Sequence, residues 1–154
     1  PTFVLSLLDG GRLDLASLKG NMVILDFWAT WCPPCRQGLP ILDEIARQYK
    51  DKGVRVYAIN CNESPAEVRR FIAGTHLKLP VALDPGKTVG DLYSANAIPQ
   101  TIIIDRNGIV RSVHIGLPPD GGQSYRNAID ALLAGKDVPT DATRKQGNIS
   151  TEPQ

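Results

Sequence analysis

The chain has 154 residues, with 42% hydrophobic residues and a formal net charge of +1 at pH 7. A chain of this length forms one domain and buries roughly 68–70% of its unfolded surface, so disulfides are not needed to hold it together. Seventeen basic residues are balanced by sixteen acidic ones without a basic block, which disfavours nucleic acid as a partner.

The first part of the chain is predicted to form a hairpin followed by a central strand. Thr2–Leu8 favours a strand, Asp9-Gly10-Gly11 a turn, and Arg12–Leu18 a second strand or helical turn. Met22–Trp28 is a nearly continuous apolar run, which is typical of a parallel strand covered on both faces. One acidic residue, Asp26, lies inside this run.

The middle of the chain is predicted to contain two helices and a strand. Apolar residues recur at helical spacing over residues 33–50, which predicts a helix. Val54–Asn60 predicts a second buried strand. A Ser64 cap, Pro65 at the first helical position and Glu67 three residues after the cap then indicate the start of another helix.

The last part of the chain is predicted to contain a strand at Leu79–Leu83 and a helix at Thr88–Ala95. A hairpin of Thr101–Asp105 and Ile109–Ile115 follows, and a final helix at Ser124–Ala134. The hairpin turn contains Asn107-Gly108, a pair that readily supplies the positive φ angles of tight turns. The order of elements predicts an α/β fold, with a mixed central sheet and helices on both faces.

Residues 1–139 are assigned to this domain. Residues 140–154 contain one large aliphatic side chain, Ile149, and are predicted to form a flexible C-terminal tail.

Two of the three cysteines, Cys32 and Cys35, are separated by two residues. The predicted strand-to-helix junction places the first sulfur at a helix N-terminus, where unpaired amides and the helix dipole favour the thiolate. Cys32 is therefore the candidate nucleophile, and Cys35, one turn further in, the resolving thiol. The alternative, a structural zinc site, needs four ligands, and the sequence offers no second Cys-x-x-Cys or His-x-x-x-His, so we expect no metal.

Pro33 and Pro34, between the cysteines, have no backbone N–H. They remove two donors to the Cys32 sulfur and leave mainly the amides of Cys35 and Arg36. A thiolate with few donors is only moderately stabilised, which predicts a reductant and not a strong oxidant.

The residues around the cysteines closely resemble the thioredoxin superfamily, in Asp26, the segment Phe27-Trp28-Ala29-Thr30-Trp31-Cys32-Pro33-Pro34-Cys35, Pro40 and Ile98-Pro99. The N-terminal hairpin, the Trp-Cys-Pro-Pro-Cys motif and an extra helical segment after Asn60 are similar to its TlpA-like and ResA-like branch. That branch consists of extracytoplasmic thiol-disulfide oxidoreductases often used in cytochrome c maturation. The resemblance covers residues 2–135 and implies a three-layer thioredoxin-like fold with a central helical insertion.

The resemblance also implies a function. The chain would be a reductant of disulfides in partner proteins by dithiol–disulfide exchange, with no cofactor beyond its own redox-active disulfide. Its partners would be disulfide-containing proteins, such as apocytochrome c or its maturation factors, and a membrane-embedded thiol electron donor; we expect a monomer. The location would be the periplasm or the outer face of the cytoplasmic membrane, with an anchor in the full-length protein, although the N-terminus at Pro1 does not itself indicate the compartment.

Five residues are implied as a substrate-facing surface. Pro99 would be a cis-proline that faces the disulfide and keeps the two thiols from chelating a metal. The backbone of Ile98 would pair with an extended substrate segment. Trp31, Pro33 and Pro34 would complete the docking surface.

Two carboxyl groups are candidates for moving the proton of Cys35. Asp26 has apolar neighbours, so burial should raise its pKa and make it a proton acceptor, acting through a water. Glu63 stands where ResA-like proteins carry an active-site glutamate; without that likeness it would be a solvated loop acid. Those relatives commonly have a neutral residue in place of Asp26, whereas thioredoxin has the aspartate and lacks the glutamate. This chain has both, so the sequence leaves the proton shuttle open.

Two other functions share the fold. A peroxiredoxin-like thiol peroxidase would need proline and threonine where this chain has Leu25 and Ala29. A copper chaperone of the Sco type uses Cys-x-x-x-Cys and a distal histidine, which His114 could supply, but Pro99 would block the metal face. We otherwise expect His114 to be structural, and Cys61 to behave as a small buried apolar residue.

Overall fold

The computed structural model describes residues 1–138, so the predicted tail and the domain boundary at residue 139 lie outside the described residues. The strands are β1 (Val4–Ser6), β2 (Arg12–Asp14), β3 (Met22–Trp28), β4 (Val54–Cys61), β5 (Val81–Asp84), β6 (Gln100–Ile104) and β7 (Val110–Ile115). The helices are α1 (Pro33–Tyr49), α2 (Pro65–Ala73), α3 (Thr88–Leu92) and α4 (Gln123–Leu133). Within residues 1–138, no helix combines the length and the apolar character that a membrane crossing requires.

Five strands form a central mixed sheet in the order β5-β4-β3-β6-β7. Strands β3, β4 and β5 are parallel, while β6 is antiparallel to β3 and β7 is antiparallel to β6. Strands β1 and β2 form a separate hairpin, which joins the β5 edge through a bridge between Leu7 and Ala82. The predicted mixed sheet and N-terminal hairpin are confirmed.

Alternating side chains of β3 contribute to two layers of core, and every residue of this strand is buried. The even-numbered apolar residues, Met22, Ile24 and Trp28, pack with α1, α2 and α4. The odd-numbered residues pack with the hairpin and α3. Coverage on both faces explains why this strand is so apolar in sequence.

The helix that bears the cysteines and the helix of the insertion start as predicted. Helix α1 begins directly after Cys32 and includes Pro40. In α2, the Ser64 hydroxyl accepts a hydrogen bond from the Glu67 N–H at 3.2 Å, and Pro65 is the first helical residue. The segment after β4 adds strand β5 as well as α2, so the insertion widens the sheet by one strand.

The turn between β6 and β7 differs from the expectation. Asn107 does not adopt a positive φ; in this turn Gly108 does, at 81°. The Asp105 N–H donates to the Ile109 carbonyl (2.9 Å) and the Gly108 N–H to the Asp105 carbonyl (3.0 Å). This is a three-residue loop whose glycine takes the left-handed position, which leaves Asn107 free to stay in the ordinary region. The prediction for Asn107 was therefore wrong.

Helix α3 is shorter than the predicted Thr88–Ala95, because it ends at Leu92. Two residues later Ser94 has a φ of 54°, which no right-handed helix accommodates.

Candidate active site

The two cysteines lie where β3 leads into α1. Cys32 is the N-cap residue of α1 and forms a disulfide with Cys35 in its first turn. Cys35 is completely buried, whereas 4% of Cys32 is exposed. Cys32 is therefore the sulfur of this pair that a partner protein reaches first.

Hydrogen-bond donors to the Cys32 sulfur are few. In the part of the chain that the structure describes, a single backbone N–H, that of Cys35, donates to Cys32 Sγ, at 3.4 Å. The expected contribution of Arg36 was wrong, because its N–H donates to the Cys32 carbonyl oxygen at 3.1 Å, in the regular helical pattern. Pro33 and Pro34 have no N–H to offer.

The segment before β6 approaches the disulfide. The carbonyl oxygen of Ile98 lies 3.8 Å from Cys32 Sγ, and the Ile98–Pro99 peptide bond is cis. Pro99 is buried, and its carbonyl accepts a hydrogen bond from the Gly116 N–H at 2.8 Å. This backbone is thus fixed beside the reactive sulfur.

An exposed apolar surface adjoins Cys32. Trp31 is 69% exposed, which makes it the most exposed large hydrophobic residue within residues 1–138. Pro33 is exposed and Pro34 half-buried. A large aromatic ring that remains in solvent beside a reactive group is typical of a docking surface.

Asp26 lies on the face of the sheet that α1 and α4 cover, and 2% of it is exposed. The Thr101 hydroxyl donates to Asp26 Oδ1 at 2.9 Å. Burial raises the pKa of Asp26 to about 7, and the hydrogen bond from Thr101 opposes part of that rise. This carboxyl group can therefore exchange a proton near neutral pH.

Glu63 has different surroundings. One of its oxygens accepts hydrogen bonds from the Thr30 N–H (2.7 Å) and from Asn60 Nδ2 (2.8 Å), and the other accepts from the Thr30 hydroxyl. Glu63 thereby connects the end of β4 to the segment that leads into Cys32. Both oxygens are already used in holding this segment.

The sequence did not predict that further buried polar side chains lie close to Asp26. The Tyr125 hydroxyl lies 3.3 Å from Thr101 Oγ1. The His114 ring contacts the Tyr125 ring edge to face at 4.9 Å, and its Nε2 lies 2.7 Å from the Ser112 hydroxyl. The one signal in the sequence was Thr101, a polar residue directly before the three isoleucines of β6.

Cys61 is separated from the disulfide by the sheet. It packs with the hairpin and α3, while Cys32 and Cys35 pack with α1. Burial raises the pKa of the Cys61 thiol to about 12, and the negative charges of Asp84 and Asp26 contribute. Its thiol is thus protonated near neutral pH and unreactive.

No group of three or more histidine, cysteine, aspartate or glutamate side chains is arranged to hold a metal within residues 1–138. His114, the histidine considered for a copper site, is buried against Ser112 and Tyr125.

Comparison with known proteins agrees with this site. The family model described as Redoxin matches residues 1–132. The chain belongs to the redoxin family. Among curated members, the thiol-disulfide oxidoreductase ResA of Bacillus cereus is 39% identical over 116 residues, which cover 75% of this chain and 67% of that protein. ResA of Bacillus subtilis is 37% identical over 116 residues, which cover 75% and 65%.

Solved structures of redoxin relatives share the fold. A Chlorobium tepidum protein described as a thiol:disulfide interchange protein of the DsbE type has a TM-score of 0.81 and 35% identity, covering 86% of this chain and 94% of its own. The exposed lipoprotein thioredoxin of Streptococcus pneumoniae has a TM-score of 0.74 and 30% identity, covering 88% and 99%. The chain is therefore a thiol-disulfide oxidoreductase with a thioredoxin-like fold, and these relatives favour neither the peroxidase nor the copper chaperone.

Proposed function

We propose that this redoxin reduces disulfides of partner proteins, with Cys32 as the attacking thiolate and Cys35 as the resolving thiol. The observation that carries the proposal is that, within residues 1–138, a single backbone N–H, that of Cys35, donates to Cys32 Sγ. A thiolate with one such donor is weakly stabilised, so the dithiol form readily passes on its electrons. Strongly oxidising enzymes are the opposite case, because their reduced form is stabilised.

The reaction begins with the reduced pair. The Cys32 thiolate attacks one sulfur of the partner's disulfide; that bond breaks, a mixed disulfide forms on Cys32, and one partner thiolate leaves. Cys35 then loses its proton, and its thiolate attacks Cys32 Sγ. The second partner sulfur leaves as a thiolate, and both partner thiolates take up protons. Two electrons pass to the partner, and the Cys32–Cys35 disulfide remains.

We propose that Asp26 accepts the proton that Cys35 loses before it attacks Cys32. Asp26 is buried on the face of the sheet that α1 covers, and its pKa of about 7 suits an acid–base group that works at neutral pH. Glu63 holds the segment before Cys32 through Thr30 and acts as a positioning residue.

We assign substrate docking to the surface formed by Trp31, Pro33, Pro34, Ile98 and Pro99. A partner segment in extended conformation would lie along the backbone of Ile98, which is already within 3.8 Å of the sulfur. Binding through main-chain atoms places few demands on side chains, so one site accepts many sequences.

The proposed setting is extracytoplasmic. The names of the ResA relatives, of the DsbE-type neighbour and of the exposed lipoprotein thioredoxin support a redoxin that works outside the cytoplasm. We infer as substrates the apocytochrome c or its maturation factors, and as electron donor a membrane-embedded thiol protein. The disulfide serves as the sole redox group, and the chain acts as a monomer.

The direct test is the redox potential of the Cys32–Cys35 couple in a dithiothreitol buffer series, with free thiols counted at each point. We expect a value of roughly −200 to −270 mV, with two thiols titrating together and Cys61 silent. A value near −120 mV, the range of the strong oxidants, would contradict the proposal.

A further inference from the structure

A chain of three buried polar groups crosses the core behind the disulfide. It comprises Asp26 on β3, Thr101 on β6 and Tyr125 on α4, each at most 3% exposed. The Thr101 hydroxyl contacts the Asp26 carboxyl at 2.9 Å and the Tyr125 hydroxyl at 3.3 Å. Thr101 and Asp26 are register partners in the sheet, so the backbone itself aligns them.

The direction of the hydrogen bonds follows from the chemistry of the groups. An ionised carboxylate accepts and never donates, so the Thr101 proton points to Asp26. The Thr101 oxygen is then free to accept from Tyr125. Burial holds the pKa of Tyr125 well above its usual range, so Tyr125 keeps its proton and remains able to donate. When Asp26 is protonated, both bonds can reverse and every group keeps a partner.

Four other titratable groups lie close to Asp26, Thr101 or Tyr125. Cys35 of α1 lies on the same face of the sheet, and Cys61 of β4 is protonated near neutral pH. His114 of β7 contacts Tyr125 edge to face, and Asp120, before α4, acts electrostatically on Tyr125. Burial raises the pKa of Asp26, and the hydrogen bond from Thr101 lowers it by stabilising the carboxylate.

We propose that Thr101 and Tyr125 are positioning residues for proton transfer, forming a hydroxyl chain that orients the Asp26 carboxylate and stabilises its charge while it receives the proton of Cys35. Neither residue touches the reacting sulfurs. The inference rests on the proposed role of Asp26.

The test compares Thr101→Val, which removes the hydroxyl at nearly constant volume, with Thr101→Ser, which keeps it. Two quantities are measured from pH 5 to 9: the Asp26 carboxyl titration by carbon NMR in the reduced protein, with Asp26→Asn assigning the signal, and reduction of insulin by dithiothreitol. We expect Thr101→Val to move the Asp26 midpoint upward and to slow insulin reduction about tenfold at pH 7, with recovery at pH 9. Thr101→Ser should return the midpoint towards that of the parent chain.

Tyr125→Phe should move the Asp26 midpoint in the same direction by a smaller amount, which corresponds to an acid dissociation constant lower by about two- to threefold. The matched control is Tyr49→Phe, since the Tyr49 hydroxyl, at the C-terminal end of α1, also donates to a carboxylate, that of Asp130, at 2.7 Å. It should lower stability and leave the Asp26 midpoint unchanged.

The proposal is overturned if a folded Thr101→Val or Tyr125→Phe protein titrates Asp26 at the parent midpoint, or if its rate falls equally at every pH. If Thr101→Val does not fold, Tyr125→Phe alone decides between these results. The NMR titration does not depend on turnover. A parent chain that fails to reduce insulin would therefore count against the proposed function and leave this inference to be decided by the midpoints.

Discussion

Two pairs of a thiol and a buried carboxyl group lie at the same end of the sheet, on opposite faces. On one face are Cys35 and Asp26; on the other are Cys61 and Asp84, which are register partners on β4 and β5. The Asp84 carboxylate accepts hydrogen bonds from the N–H groups of Val89 (3.0 Å) and Gly90 (2.8 Å), at the start of α3.

The difference lies in what occupies the helix N-terminus. In α1 it is the sulfur of Cys32, which receives the Cys35 N–H. In α3 it is Asp84, so the amides stabilise a carboxylate, and that negative charge helps to raise the pKa of Cys61 to about 12. A nearby acid is therefore not enough to make a thiol reactive; the thiol must itself face the amides, and the acid must be free to take a proton.

The largest effect expected from this comparison concerns the thiols. Cys32→Ser should lower the rate that the protein adds to the reduction of insulin by dithiothreitol alone by more than about a thousandfold, because the nucleophile is lost. Cys61→Ser, the matched control on the other face, should stay within about twofold. A large loss in Cys61→Ser that is not explained by unfolding would contradict the separation of the two regions.

Trapping distinguishes the two thiols of the active pair. Cys35→Ser should accumulate a mixed disulfide between Cys32 and a disulfide-containing peptide, since the resolving step is blocked. Mass spectrometry under non-reducing conditions identifies the linked cysteine. Peptide attached to Cys61, or none attached at all, would count against the proposed order of attack.

The next largest effect on the rate is expected from the loss of the proton acceptor for Cys35. Asp26→Asn should slow insulin reduction at pH 8 by about a hundredfold, at the lower end of what a general base contributes. It should also remove the pH dependence centred at about 7 that the Asp26 pKa predicts. A parent pH profile without an inflection near that value would argue against Asp26 as the proton acceptor.

The two buried aspartates should differ in the sign of their effect on stability. The folded-state pKa of Asp26, about 7, exceeds its ordinary value of 3.8 mainly because of burial, so the folded chain binds more protons between these pH values. Stability is therefore lost as pH rises from about 4 to 7. Asp26→Asn should raise the free energy of unfolding at pH 8 by roughly 2–4 kcal/mol and change it little at pH 4.

Asp84→Asn should instead lower the free energy of unfolding at pH 8 by about 1–2 kcal/mol, because a charge-assisted contact with the amides of α3 is weakened. Urea unfolding of both variants at pH 4 and pH 8 measures the contrast. Equal signs for the two substitutions at pH 8 would contradict the proposed difference between the surroundings of the two carboxyl groups.

The smallest effect is expected at Glu63. Glu63→Gln keeps an oxygen for the Thr30 N–H but loses an acceptor for the Thr30 hydroxyl, so we expect a cost of about 1 kcal/mol and a rate a few-fold lower. The midpoint of the pH profile should not move. A midpoint that shifts or disappears in Glu63→Gln but persists in Asp26→Asn would instead identify Glu63 as the proton shuttle.

Local signals predicted much of this architecture. The apolar run of β3, the capping residues before α2 and the position of Cys32 at the start of α1 each depend on a few neighbouring residues, and each is found as expected. Such features do not require knowledge of which strands pair.

The features that could not be predicted depend on which strands pair and in which register. Thr101 meets Asp26 because β6 pairs with β3 in one particular register, and Cys61 faces away from Cys35 because of where β4 lies beside β3. The competing hydrogen bonds were also invisible, since the Arg36 N–H reaches the Cys32 carbonyl only once α1 has formed. The sequence could therefore identify Asp26 and Glu63 as candidate proton acceptors, but it could not distinguish their surroundings.

The hairpin has a consequence for how the sheet avoids self-association. The Leu7–Ala82 bridge and the hydrogen bond from the Leu8 N–H to the Val81 carbonyl, at 2.8 Å, occupy the outer side of β5. Exposed strand edges present unpaired amides and carbonyls that recruit other chains into aggregates. Removal of the hairpin would expose the edge of β5 in this way. The N-terminal residues therefore protect the protein from aggregation, although they do not contribute to the active site.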